Sequence, residues 1–150
     1  MPAFVKGGSV RTPWGKNVYL RSTRGCKFES YTVAASTVVA QTIDGFTGQK
    51  ILQPGTVMAK ITSGGESGKV GPFQAGATDG RQTAANIVGL NDTFLPWQLI
   101  EHDDQIACMY IGTAVQAWCF EYDATPVPIV LTNTTADAMR SVKGMDVTFK

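Results

Sequence analysis

The chain has 150 residues, 43% of them apolar and 17% charged, and a net charge of +1. That length and balance suit a single ordered domain with a buried core, and argue against a disordered chain. No run of 18 apolar residues occurs, and the opening Met-Pro-Ala-Phe-Val-Lys-Gly-Gly lacks a basic segment followed by an apolar core, so a membrane span and a signal peptide are not expected and synthesis in the cytosol is.

The small net charge hides a segregation. Residues 1–28 carry six cations (Lys6, Arg11, Lys16, Arg21, Arg24 and Lys27) and no acid, whereas residues 82–139 carry seven acids and neither Lys nor Arg. The cationic leader is rich in turn formers (Gly7-Gly8-Ser9, Thr12-Pro13, Gly15) and poor in large apolar residues, so it can hardly fold alone. Three readings stand for it. It packs on its own acidic body, it engages the acidic surface of another protein, or it binds nucleic acid. Nucleic acid is the least favoured partner, because six dispersed charges and a near-neutral pI are a weak polybasic footprint. Trp14 and Tyr19 suit either base stacking or a strand or interface anchor.

In chain order, 17–22 alternates and reads as an exposed edge strand. Residues 28–35 and 37–42 are β-rich, forming two strands or one long bent one. Asp44-Gly45-Phe46-Thr47-Gly48 is the clearest break and sets a boundary between a strand-bearing arm, 1–45, and a body, 46–150. Pro54-Gly55 forms a turn, since proline presets φ and glycine takes φ > 0. Strands are then expected near 56–62, 69–73, 85–90, 105–111, 114–121 and 127–132, with a hairpin turn at Gly112-Thr113. The run from Ile106 to Thr113 is apolar enough for a strand buried on both faces. Asn133 or Thr134 caps one short helix over 135–142, with Gly144 at its C′ position, and 145–149 alternates as a last strand. The fold class is mainly β: a small barrel-like body with one short helix, preceded by a basic arm.

Candidate chemistry fails on spacing. Gly64-Gly65-Glu66-Ser67-Gly68-Lys69-Val70 resembles a phosphate loop, but its glycine spacing is one short and Val70 stands where Ser or Thr must hold magnesium. The same stretch misses the nucleophile elbow at Lys69. His102, the single histidine, sits in the polar turn Glu101-His102-Asp103-Asp104, where solvated side chains are expected rather than a base or a calcium site. Cys26, Cys108 and Cys119 lack CxxC spacing and read as reduced structural thiols, with Cys108 and Cys119 on one sheet face. No catalytic residue, metal or cofactor is called for. Phe94-Leu95-Pro96-Trp97 is a compact apolar patch that serves as a core plug or, through Phe94, Pro96 and Trp97, as a subunit contact. Trp118 and Phe120 are expected to face the core, with Cys119 and Glu121 on the opposite side.

The series Pro54-Gly55-Thr56-Val57-Met58-Ala59, then Ala77-Thr78-Asp79-Gly80, then Ile87-Val88-Gly89-Leu90 resembles the phage head decoration proteins of the lambda type. The likeness covers roughly 50–120, and the residues before the body have no counterpart in it. It implies a β-tulip body without enzymatic activity, a homotrimer, and attachment to the major capsid protein on the outside of a virion assembled in the host cytoplasm. It further implies an arm that orders on the shell, which makes Arg11, Trp14, Lys16, Val18, Tyr19, Arg21 and Arg24 the candidate capsid contacts. No small-molecule substrate and no membrane partner are expected. Two other classes remain open: another structural head or tail protein, and a small β-barrel enzyme or ligand-binding module with its site in the glycine loop.

Overall fold

The computed structural model describes residues 19–150, together with the backbone alone of Ile43. The chain is mainly β. In order it forms β1 (Leu20–Val33), β2 (Gln41–Ile43), β3 (Phe46–Gln49), β4 (Val57–Lys60), β5 (Val70–Pro72), β6 (Ile87–Asn91), α1 (Gln98–Glu101), β7 (Asp104–Ala114), β8 (Phe120–Tyr122), β9 (Pro128–Val130), α2 (Asn133–Arg140) and β10 (Asp146–Phe149).

Five strands close on themselves in the order β1-β5-β4-β6-β7, because β1 pairs both with β7, antiparallel, and with β5, parallel. The β1–β5 closure is one register pair, Val33 with Val70, next to the Ala34 N–H donating to the Val70 carbonyl at 2.9 Å. One edge of β7 carries β1 along its length, from Leu20–Ala114 to Val33–Asp104. Its other edge is shared, with β6 at Cys108 and Met109 and β10 at Ile111–Ala114.

Side chains alternate across each strand, so a closed ring has an inner and an outer face. Val33, Val70, Met58, Val88, Ile106 and Cys108, drawn from all five barrel strands, meet in one core with Val38, Leu52, Leu95 and Leu99. Val57, Ala59, Ile87, Leu90 and Met109 point the other way and pack under Tyr19, Cys119, Leu131, Ala136, Met139 and Val147. β7 therefore feeds both cores, as its apolar run predicts. Each buried aliphatic side chain contributes ~1.5–3 kcal/mol, against ~1 kcal/mol or less for an exposed ion pair, so these two layers hold the barrel.

Several expectations need correction. The arm is not separate from the body in the described residues: β1 is a barrel strand, and Asp44-Gly45 is the turn of the β2–β3 hairpin rather than a domain boundary. Apolar pairing with β7 overrides the turn chemistry at Gly25, which the strand absorbs as a bulge between Ser22–Thr113 and Lys27–Ile111. Gly112-Thr113 is no turn, because β7 runs through it. Cys108 and Cys119 consequently lie in different cores. The expected helix starts two residues earlier, capped by the Thr132 hydroxyl, which accepts the Thr135 N–H at 3.3 Å. A second helix, the single turn α1, follows Trp97. Near 118–121 the faces are reversed: Cys119 and Glu121 are buried, while Trp118 is 40% exposed.

Candidate interaction surfaces

Arg11, Trp14, Lys16 and Val18 lie outside the described residues. Tyr19 is fully buried in the outer core, where its hydroxyl donates to Asp92 Oδ1 at 2.5 Å. Burial, followed by that carboxylate, pushes its phenol well above the ordinary range. Tyr19 is thus a core residue and offers nothing to a partner surface, contrary to its expected role as a capsid contact. Arg21 and Arg24 are exposed on β1, and Lys27 and Phe28 follow them outward on the same strand.

The Phe94–Trp97 patch is divided. Leu95 and Leu99 are core residues, and the Leu52 and Leu95 backbones exchange hydrogen bonds at 3.0 and 3.1 Å. Those anchors fix α1 so that Trp97 and Ile100, three residues apart and on one side of the turn, stand 53% and 48% exposed. Phe94 and Pro96 are half-buried beside them. Ile100 escapes sequence reasoning, because a four-residue helix leaves no periodicity to read.

In the glycine loop the cation is paired with two carboxylates. Lys69 Nζ sits 2.6 Å from Glu66 Oε2 and 2.5 Å from Asp103 Oδ2, and Asp103 Oδ1 accepts the Ala35 N–H at 2.8 Å. Hydrogen bonds to Asp103 and then Glu66 raise the Lys69 pKa, so its amine stays protonated and is not a nucleophile. His102 is exposed, with Nδ1 2.8 Å from the Asp103 carbonyl. Burial raises the thiol pKa of Cys108 and pushes that of Cys119 up to about 12, which leaves both protonated and inert. Among the described residues no three His, Cys, Asp or Glu side chains gather as a metal site, and no helix is long and apolar enough to cross a membrane.

A cavity of about 430 Å³ lies elsewhere, and β1, β4, β6 and β7 contribute Glu29, Tyr31, Lys60, Val88 and Tyr110 to it. Tyr31 donates to Glu29 Oε2 at 2.8 Å, and desolvation, then that carboxylate, raises its pKa. Glu29, Tyr31 and Tyr110 went unread as a group because only the β1–β7 register brings them together. A smaller slot of about 110 Å³ lies between Gln41, Ile51, Gln53, Phe120, Tyr122 and Pro128.

The chain matches no protein-family model and no curated protein.

Proposed function

We propose that this chain is a non-enzymatic virion protein of the decoration, or cement, class, which assembles as a homotrimer on the outside of a phage head and stabilises the major capsid protein lattice. One observation carries the reading. Two of the three segments that bear the resemblance pair directly: Val57, Met58 and Ala59 of β4 lie in register with Leu90, Gly89 and Ile87 of β6. The turn before them is equally constrained. Gly55 has φ +92°, and a Cβ there would meet the Trp118 carbonyl at 2.8 Å and Tyr19 Cβ at 2.9 Å, so the Pro-Gly-Thr motif suits this packing and no side chain larger than hydrogen fits. An exposed Trp97 and a cationic leader add what a binding protein needs, an aromatic anchor and a steering charge. Many equivalent contacts on a lattice convert modest single affinities into firm attachment, and binding the mature lattice alone stabilises it by mass action.

The test is co-sedimentation of the purified chain with heads stripped of decoration. Saturable occupancy in multiples of three and a raised disruption temperature are expected. Heads that recover neither protein nor heat resistance would refute the proposal.

A second reading rests on the cavity at Tyr31 and Tyr110, whose volume and mixed polar and apolar lining suit a small ligand. A compound that raises the melting temperature of the parent chain but not of Tyr110→Ala would favour it.

A further inference from the structure

Two exposed stretches toward opposite ends of the β1–β7 ladder carry opposite charge, and each includes a large exposed apolar side chain. At one end lie Trp97 and Ile100, followed by Glu101, which is exposed, and Asp104, which is half-buried at the start of β7. Two cations of neighbouring segments are already engaged: Lys69 between Glu66 and Asp103, and Lys50 on the Ala35 carbonyl at 3.0 Å. Toward the other end Arg21, Arg24 and Lys27 are exposed along β1 with Phe28, which is 40% exposed, and none of the three cations pairs with a carboxylate among the described residues.

The register fixes how far apart these patches are. Lys27 is opposite Ile111, whereas Val33 is opposite Asp104. At ~3.4 Å per residue, Ile111 and Asp104 are roughly 24 Å apart along a single strand. The basic patch therefore cannot fold back on the acidic patch of its own chain, so any pairing of these two patches joins two molecules.

We infer that copies of this chain associate head to tail, with the Arg21–Arg24–Lys27 patch of one copy seated on the Trp97–Ile100–Glu101–Asp104 patch of the next. The aromatic and aliphatic side chains meet at the centre and lose water there, while the charges form a rim that sets orientation and association rate. A contact between two different patches is heterologous, and it closes into a ring when the rotation per copy allows. The inference rests on the reading that this chain forms a homo-oligomer. It assigns Arg21 and Arg24 to the neighbouring copy rather than to the shell.

The test needs only the full chain in solution and its mass by sedimentation velocity at about 50 mM salt. The parent should associate and should weaken as salt is raised. R21E/R24E and E101K/D104K, which alter exposed or half-exposed positions, should each loosen association by about tenfold or more while keeping the parent circular dichroism. The chain carrying all four reversals should associate again, because like charges no longer face one another. Rescue of this kind separates pairing of the two patches from any general structural effect. If the four-fold variant stays as dissociated as the double variants, or if the double variants associate like the parent, the inference is wrong. A parent that is monomeric at every concentration overturns it as well. Trp97→Ala is an independent arm, expected to weaken association without changing its salt dependence; parent-like association would contradict an apolar centre at that site. No head is present in these measurements, so a chain that associates as described yet never binds heads would sink the decoration proposal alone.

Discussion

At the residue scale, the hydrogen bonds accepted by Asp103 and Asp92 can each be removed by one substitution. Asp103 accepts hydrogen bonds from Lys69 and from the Ala35 amide, and these hold its carboxyl below the ordinary carboxylate range. A carboxyl depressed by folding adds stability above its unfolded pKa of about 3.9 and loses that contribution as pH falls through the lower folded value. Asp103→Asn should thus lower the urea midpoint at pH 7, and the difference from the parent should vanish in acid strong enough to protonate the folded carboxyl. Lys69 works in the opposite sense: its pKa is raised, so its share persists at neutral pH and fades only as pH climbs beyond about 10.4. Asp92 meets a buried phenol instead. Tyr19→Phe keeps the ring and removes the hydroxyl, so it should cost ~1–2 kcal/mol by urea denaturation. A cost near zero would mean that water replaces the hydroxyl at Asp92.

At the scale of the element, turns and covers decide more than strand propensity. Gly55→Ala combines a positive φ with two contacts under 3.0 Å, one of them to backbone. It should destabilise by at least ~1 kcal/mol, and it should also disturb β8, whose Phe120 N–H donates to the Gly55 carbonyl at 2.9 Å. Near-ultraviolet circular dichroism of the parent and the variant would report both effects. The strands of the body were legible because β-branched runs between Gly and Pro clusters carry their own punctuation: 56–62 and 69–73 each contain one observed strand, and 85–90 overlaps β6. β1 was read in two pieces, since a bulge holding Arg24-Gly25 looks like a loop until a partner strand spans it. The faces around Trp118 were misjudged because a short 3₁₀ turn at 116–118 precedes β8 and resets the alternation. The exposed Trp97 could be named from sequence as an interface candidate, but its division from the buried Leu95 and Leu99 depends on the tertiary packing of α1.

At the scale of the molecule, Tyr19 and β1 are built into the barrel, so a truncation that spares them removes none of the packing described above. Deletion of residues 1–18 should leave the β-type far-ultraviolet spectrum unchanged, while deletion of residues 1–33 should abolish cooperative unfolding, because it removes one wall of the barrel and its pairing with β7. On the decoration reading, the shorter deletion should also lose head occupancy, and the parent's occupancy should fall with rising salt. Full occupancy by the shorter deletion would remove the leader from the shell contact.

The meeting of β1 and β5 has a mechanical corollary. A cask is breached first at the joint with the fewest rungs, and here that joint has Val33 against Val70, a single amide bond from Ala34, and an ionic clasp in which Asp103 reaches both Lys69 and Ala35. Partial opening should start there, well before the β1–β7 wall separates. Deuterium should therefore enter at the Ala34 amide faster than at those amides of Phe28–Tyr31 that donate to β7, and acid strong enough to protonate Asp103, by releasing the clasp, should widen that gap.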